Sequence, residues 1–306
     1  MSPDQAPLGG LLLVHAHPDD ECFATGGLIA RSIAEGRRVD LVVCTGGEEG
    51  EIHDPELDPD EAWPRMREIR AAELDCSVAA LAVGPGELHV HPLGYRDSGM
   101  MDNEANANPD AFWQADIDEA TGRLVSVIRA AHPSVMVTYD ANGNYGHPDH
   151  INAHRVAVAA MQAAADPSRF EDAGPAWAVA KFYEIAFNRD RWLSLMGEMK
   201  ERGIKLPWEF DSDDSPAVEG EPDEPFGMAE ADLTTFVAVD AFAAQKTASM
   251  ACHRTQRQDF GWLLDLPDDL AARILSPECF LLTRWPGRLI KPGLREASLF
   301  EGLEEG

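Results

Sequence analysis

Long apolar runs are missing from this 306-residue chain. None approaches the ~20 residues that a membrane-spanning helix needs, and Met1-Ser2-Pro3-Asp4-Gln5 lacks the basic region of a signal peptide. Positive charge is equally scarce. Lys and Arg together number 25, five of them Lys, against 54 Asp and Glu, which leaves a formal charge of −29. Such a field repels phosphate backbones and anionic bilayers, so nucleic acid and membrane surfaces are not expected partners. Neutral or cationic small molecules and metal ions remain compatible with it, and most of the excess acid reads as a solvated surface. Cysteine is sparse too. Cys22, Cys44, Cys76, Cys252 and Cys279 are odd in number, scattered and without CxxC. That pattern argues for a reducing, cytoplasmic compartment and against disulfides or a cysteine zinc site. GxSxG, GxxxxGKS/T and a GxGxxG after the first strand are also absent, so nucleophilic-serine, P-loop and dinucleotide chemistry find no support.

What is present is an ordinary globular balance, 44% hydrophobic and 26% charged residues, in an alternating pattern. Leu11-Leu12-Leu13-Val14, Val39 to Cys44, Glu87 to Val90 and Ser134 to Tyr139 read as strands. Between and after them, Pro18 to Ala34 (stopped by Gly36), Arg65 to Leu81, Ala115 to Ala131 and His150 to Ala165 carry helical periodicity. Ala178 to Ile185 and Thr234 to Val239 look like further strands. Strands alternating with helices predict an α/β fold, a Rossmann-like, doubly wound and mostly parallel sheet with a smaller C-terminal α+β part. No linker cuts the chain. Residues 1–185 are expected to form the catalytic unit with the metal site, and 186–306 a subdomain completing the pocket. Glu209 to Asp232 holds ten acids and no Lys or Arg; it predicts an exposed or disordered loop.

One tripeptide occurs twice. Ala16-His17-Pro18-Asp19-Asp20-Glu21 and Tyr145-Gly146-His147-Pro148-Asp149-His150 each follow an apolar run and open a helical pattern. In parallel α/β folds, sites sit at the carboxyl ends of strands, which is where both segments fall. Zinc takes neutral imidazole and carboxylate ligands, and a catalytic site keeps three protein ligands with one position open. His17 and Asp20, three apart at a helix entry, can aim at one point, and His150 can join them from the neighbouring strand end. Each Pro marks a first helical position, where its missing N–H costs nothing. Asp19, adjacent but facing elsewhere, suits a general base. His147 suits a donor to an oxyanion or leaving amine, and Asp149 an outer partner that orients an imidazole. His15, on an apolar strand, reads as a satisfied core histidine; His53, His89, His132 and His154 read as structural or exposed. A catalytically silent metal carrier would need neither Asp19 nor His147.

These segments resemble the PIG-L/LmbE superfamily of zinc-dependent N-deacetylases. Further matches are Thr45-Gly46-Gly47-Glu48, Arg70-Ala71-Ala72-Glu73-Leu74, Arg96-Asp97-Ser98-Gly99, Tyr139-Asp140 and, more weakly, Lys246 to Gln256 with His253 and Gln256. The likeness is greatest to the mycothiol-pathway branch of N-acetylglucosaminyl-inositol deacetylases and S-conjugate amidases. It implies removal of an acyl group from the 2-amino nitrogen of a glucosamine conjugate, a small amino-sugar substrate, and Zn2+ on His17, Asp20 and His150, with Fe2+ as a competitor for such ligands. It further implies Asp19 as base, His147 as acid or oxyanion partner, Tyr145 as a mobile residue polarising the carbonyl, and Arg70 and Asp97 as substrate-binding residues. The position that is typically Ser in the deacetylases and Lys in the amidases is Ala24 here, so the resemblance leaves the aglycone, the acyl group and any homo-oligomer open. The segment His53 to Trp63 and the acidic loop near Asp213 are expected to shape the pocket.

Overall fold

The computed structural model describes residues 9–204 and 227–303. Its strands are β1 (Gly10–His15), β2 (Arg38–Thr45), β3 (Glu87–Tyr95), β4 (Pro133–Thr138), β5 (Lys181–Ala186), β6 (Thr235–Val237) and β7 (Glu278–Arg284). The helices are α1 (Asp20–Ala24), α2 (Gly26–Ala34), α3 (Pro59–Ala62), α4 (Met66–Leu81), α5 (Ile117–Ala131), α6 (Gly143–Gly146), α7 (Pro148–Ala164), α8 (Arg189–Glu201), α9 (Ala243–Cys252), α10 (Arg257–Leu264) and α11 (Asp268–Leu275). The strands form one sheet in the order β3-β2-β1-β4-β5-β7-β6. β1 to β5 pair in parallel, whereas β7 runs antiparallel to both β5 and β6. This is the mostly parallel α/β sheet that the alternation predicts.

The central strand explains the architecture. Leu11, Leu12, Leu13 and Val14 are all fully buried, as strands covered on both faces require. Leu13 sits in register between Leu41 of β2 and Val137 of β4. Truncating one such Leu to Ala costs about 2–5 kcal/mol. After β3 has extended one edge, β4 joins the other side of β1, so the strand order reverses between β1 and β4. The crevice beyond their carboxyl ends is the switch point where α/β sheets bind ligands.

Several expectations need correction. The helix expected over Pro18 to Ala34 is two helices, broken at Thr25 (φ −136°, ψ 3°). Gly27 lets the start of the second helix pack against Val239, because a Cβ there would lie 2.5 Å from Val239 Cβ. The freed N–H groups of Gly27 and Leu28 donate to the Glu278 carboxylate at 2.8 and 2.7 Å, and Lys246 Nζ pairs with the same group at 2.6 Å. β3 runs on to Tyr95 rather than ending at Val90. The cysteine pattern argued against disulfides, yet Cys76 of α4 and Cys252 of α9 are bonded. Odd number and wide spacing say nothing about two helices that pack side by side. Beyond residue 186, β6 and β7 extend the same sheet, and Val237, Phe280 and Leu299 join the core cluster around β1. Of the acidic segment, 209–226 lies outside the described residues; Glu230–Asp232 forms a single 3-10 turn.

Candidate metal centre and active site

β1 ends at His15, a core histidine bonded to Thr25 Oγ1 (2.9 Å) and Tyr139 Oη (3.2 Å). The chain then turns at His17, and its N–H donates to Asp20 Oδ2 at 2.7 Å. From the other strand end, His147 N-caps α7, its Nδ1 accepting from Asp149 N at 3.1 Å with Pro148 at the first helical position. One turn on, His150 reaches back toward β1. Three ligand groups thereby converge. His17 Nδ1 lies 3.3 Å from His150 Nε2 and 3.5 Å from Asp20 Oδ2, and His150 Nε2 lies 3.4 Å from Asp20 Oδ1. Tetrahedral bonds of about 2.1 Å require ligand atoms roughly 3.4 Å apart. The donor set and its spacing therefore fit a divalent cation. The ring nitrogens of His17, His147 and His150 also fall within 4.8 Å of one another.

The ligands are braced from behind. His17 Nε2 lies 3.2 Å from Asp149 Oδ2 and 3.5 Å from Asp97 Oδ1. A carboxylate on the outer nitrogen leaves the inner one as a lone-pair donor. Asp149, fully buried, also accepts from Ser98 N (2.9 Å) and from Ser98 Oγ. Asp97, also buried, accepts from Gly99 N at 2.8 Å and Glu49 N at 3.2 Å. The structure thus seats Asp97, expected to bind sugar, against His17 as well as at the cavity wall. Tyr139 stacks on His150 with ring centroids 4.0 Å apart. Burial disfavours the Asp20 carboxylate, but His150 and His17 outweigh it and hold Asp20 well below the usual range.

Asp19 faces another way. Its backbone sits at φ 127°, ψ −28°, a region that non-glycine residues occupy only when the surroundings enforce it. Arg70 from α4 supplies part of that force. Its Nη2 donates to Asp19 Oδ2 at 2.7 Å and Pro18 O at 2.5 Å, and its Nη1 to Gly47 O at 2.9 Å. Gly47 is needed for this approach, since a Cβ there would lie 2.2 Å from Arg70 Nη1. Arg70 is buried, and every bond just given holds protein groups around Asp19. Burial pushes the Asp19 carboxyl up, Arg70 opposes, Asp20 adds to the rise, and the result is about 7.

His147 and Tyr145 complete the rim. Burial, with His17 and His150 close by, pushes the His147 imidazole down to about 2 and keeps it neutral. Because Nδ1 accepts from Asp149 N, the proton of neutral His147 resides on Nε2, which can donate. Tyr145 is 54% exposed, with its hydroxyl 3.4 Å from His150 Nε2. His17, Asp19, Asp20, Arg70, Asp97, Tyr145, His147 and His150 border a cavity of about 910 Å³. Its far wall is apolar, with Phe23, Phe187, Trp192, Phe260, Trp262 and Ile274. His53, read as structural, borders the cavity too. Motif spacing gives no sign of Ser98, Ser77 or Glu21 as supports, although Glu21 closes the first His-Pro-Asp segment.

A family model described as GlcNAc-PI de-N-acetylase (PIG-L) matches residues 12–161. The chain is 42% identical to the 1D-myo-inositol 2-acetamido-2-deoxy-alpha-D-glucopyranoside deacetylase of Geodermatophilus obscurus, over 91% of this chain and 93% of that one. Identity to the protein of the same description from Streptomyces avermitilis is also 42%, over 96% and 97%. Among solved structures, the N,N'-diacetylchitobiose deacetylase of Pyrococcus horikoshii has a TM-score of 0.56 at 17% identity, covering 90% of this chain and 84% of its own. The hydratase GalB of Pseudomonas putida has a TM-score of 0.59 at 17% identity, covering 93% and 99%. Two such different reactions on one architecture mean that these structural likenesses speak to fold alone. With paired His-Pro-Asp segments at the sheet's switch point and full-length relatives at this identity, the chain belongs to the PIG-L family of de-N-acetylases.

Proposed function

We propose that this protein hydrolyses the amide on the 2-amino nitrogen of a glucosamine conjugate, releasing acetate and the free amine. A substrate like that named for its relatives, an N-acetylglucosaminyl-inositol, suits an uncharged polar ligand entering a strongly acidic protein. His17, Asp20 and His150 would hold the metal, with zinc the ion that best matches two imidazoles and one carboxylate and Fe2+ its rival. When bound, such an ion supplies a Lewis acid for the acyl oxygen and an acidified water.

The chain's own groups carry the protons. Asp19 takes one from the attacking water, since a carboxyl titrating near neutrality suits a base at physiological pH. Tyr145, half-exposed at the rim with its hydroxyl beside His150, donates to the acyl oxygen. His147, donating through Nε2, stabilises the developing charge or protonates the departing amine. Arg70 holds Asp19 ready and Asp97 braces His17, and both stay within reach of a sugar hydroxyl in the cavity.

The observation that carries the proposal is the 3.3–3.5 Å triangle of His17, Asp20 and His150 with Asp19 beside it. Asp19→Asn is expected to keep full metal content and lose about 10²–10⁴-fold in kcat on an N-acetylglucosaminyl-inositol. Wild-type turnover in that variant would remove Asp19 as base. Longer acyl amides of the same glycoside, run in the same assay, report how far the apolar wall admits acyl groups beyond acetyl.

A further inference from the structure

We infer that Glu21 and His253 form a positioning pair for Asp19, clamped from behind by Ser77 and the Cys76–Cys252 bond; the inference rests on Asp19 being the base. The peptide N–H of Asp19 donates to Glu21 Oε2 at 2.8 Å. The other Glu21 oxygen receives His253 Nε2 at 2.7 Å and the Ser77 hydroxyl. Ser77 Oγ in turn meets Ser249 Oγ of α9 at 2.6 Å. Glu21, Ser77, Ser249 and His253 are all fully buried. On the other side of the same residue, Cys22 Sγ donates to Asp19 O at 2.9 Å.

The sequence neighbours complete the clamp. Cys76 precedes Ser77 on α4, and Cys252 precedes His253 at the end of α9, so the disulfide fixes the two helices where they grip Glu21. Arg70, one face along α4, holds the Asp19 side chain while this network holds its backbone. A buried carboxylate–imidazole pair is a poor way to gain stability, because desolvation offsets much of the attraction. Such a pair is well suited to holding one residue at φ 127°, where the backbone would not rest unaided.

Glu21, Cys22 and His253 also resemble a metal ligand set. Yet 2.7 Å between carboxylate and imidazole is a hydrogen bond, well short of the roughly 3.4 Å edge of a tetrahedral site. The Cys22 thiol, pushed well up by burial and by Glu21 and Asp19, is held in its protonated form. Glu21 and His253 Nε2 thus satisfy each other directly, while His253 Nδ1 is buried without a hydrogen-bond partner.

A double-mutant cycle against Asp19→Asn tests the pair. His253→Ala and the milder Ser77→Ala are each expected to lower kcat, about 10-fold or more for His253→Ala, with KM and metal content little changed. His253→Gln, which keeps a donor near Nε2, should recover most of the loss. In the Asp19→Asn background the same changes should cost less than about twofold, since no base remains to be positioned. Equal losses in both backgrounds, or unchanged kcat in both His253→Ala and Ser77→Ala, would overturn the inference. If His253→Ala fails to fold, Ser77→Ala carries the same cycle. Wild-type turnover in Asp19→Asn alone would instead sink the assignment of the base, and the two failures are therefore distinguishable.

Discussion

Asp19 stands between two opposing charges. Burial and the neighbouring Asp20 push its carboxyl up, while the Arg70 guanidinium 2.7 Å away pulls it down. A base must be ionised to act, so activity should rise with pH through the titration of Asp19. Removing the cation removes the downward pull. Arg70→Gln is therefore expected to move the acidic limb of the kcat/KM profile to higher pH, as well as lowering its plateau. A limb that stays in place would mean that another group sets it. The two histidine motifs, by contrast, needed no structure to be seen: Pro fixed where each helix begins, and the spacing fixed which side chains face the strand ends. Arg70 and Asp97 show where such reasoning stops. Their family roles concern substrate, but hydrogen bonds to Gly47, Pro18 and Asp19, and to Gly99 and Glu49, form only after distant loops have folded together.

At the scale of elements, parallel strands were the most legible, because a run such as Leu11-Leu12-Leu13-Val14 can be stable only when covered on both faces. The break between α1 and α2 was not read, and the groups that receive the start of α2, Val239 and Glu278, lie more than 200 positions away. β7 and helices α8 to α11 went unread. The buried apolar residues of α8 to α11 pack mostly into two small clusters apart from the main core, and each of these short helices offers only a few turns of pattern. The α4–α9 pair was likewise invisible. Its disulfide closes a sequence separation of 176 residues, which in chain-entropy terms places it among the more stabilising loops. Cys76→Ser is expected to lower unfolding free energy by about 2–4 kcal/mol in denaturant titrations under oxidising conditions, with no change in reducing buffer. An unaltered midpoint in oxidising buffer would show that the bond contributes nothing.

For the molecule as a whole, the position of the site follows from topology. The strand order reverses at β1/β4, the two motifs leave from those two strands, and the large cavity opens there. A charge of −29 adds a field that draws a divalent cation inward and repels anionic competitors. What the whole fold adds beyond the motifs is the second wall, built from α1, α8, α10 and α11, which turns the corner between the motifs into a pocket. Every chemical step proposed here depends on the corner. The most direct test is an anomalous difference map at the zinc edge from crystals of the metal-loaded protein. The account predicts one strong peak about 2.0–2.2 Å from His17 Nδ1, His150 Nε2 and the Asp20 carboxylate together. A metal-loaded crystal whose peak lies elsewhere, with those three groups free of it, would contradict the account.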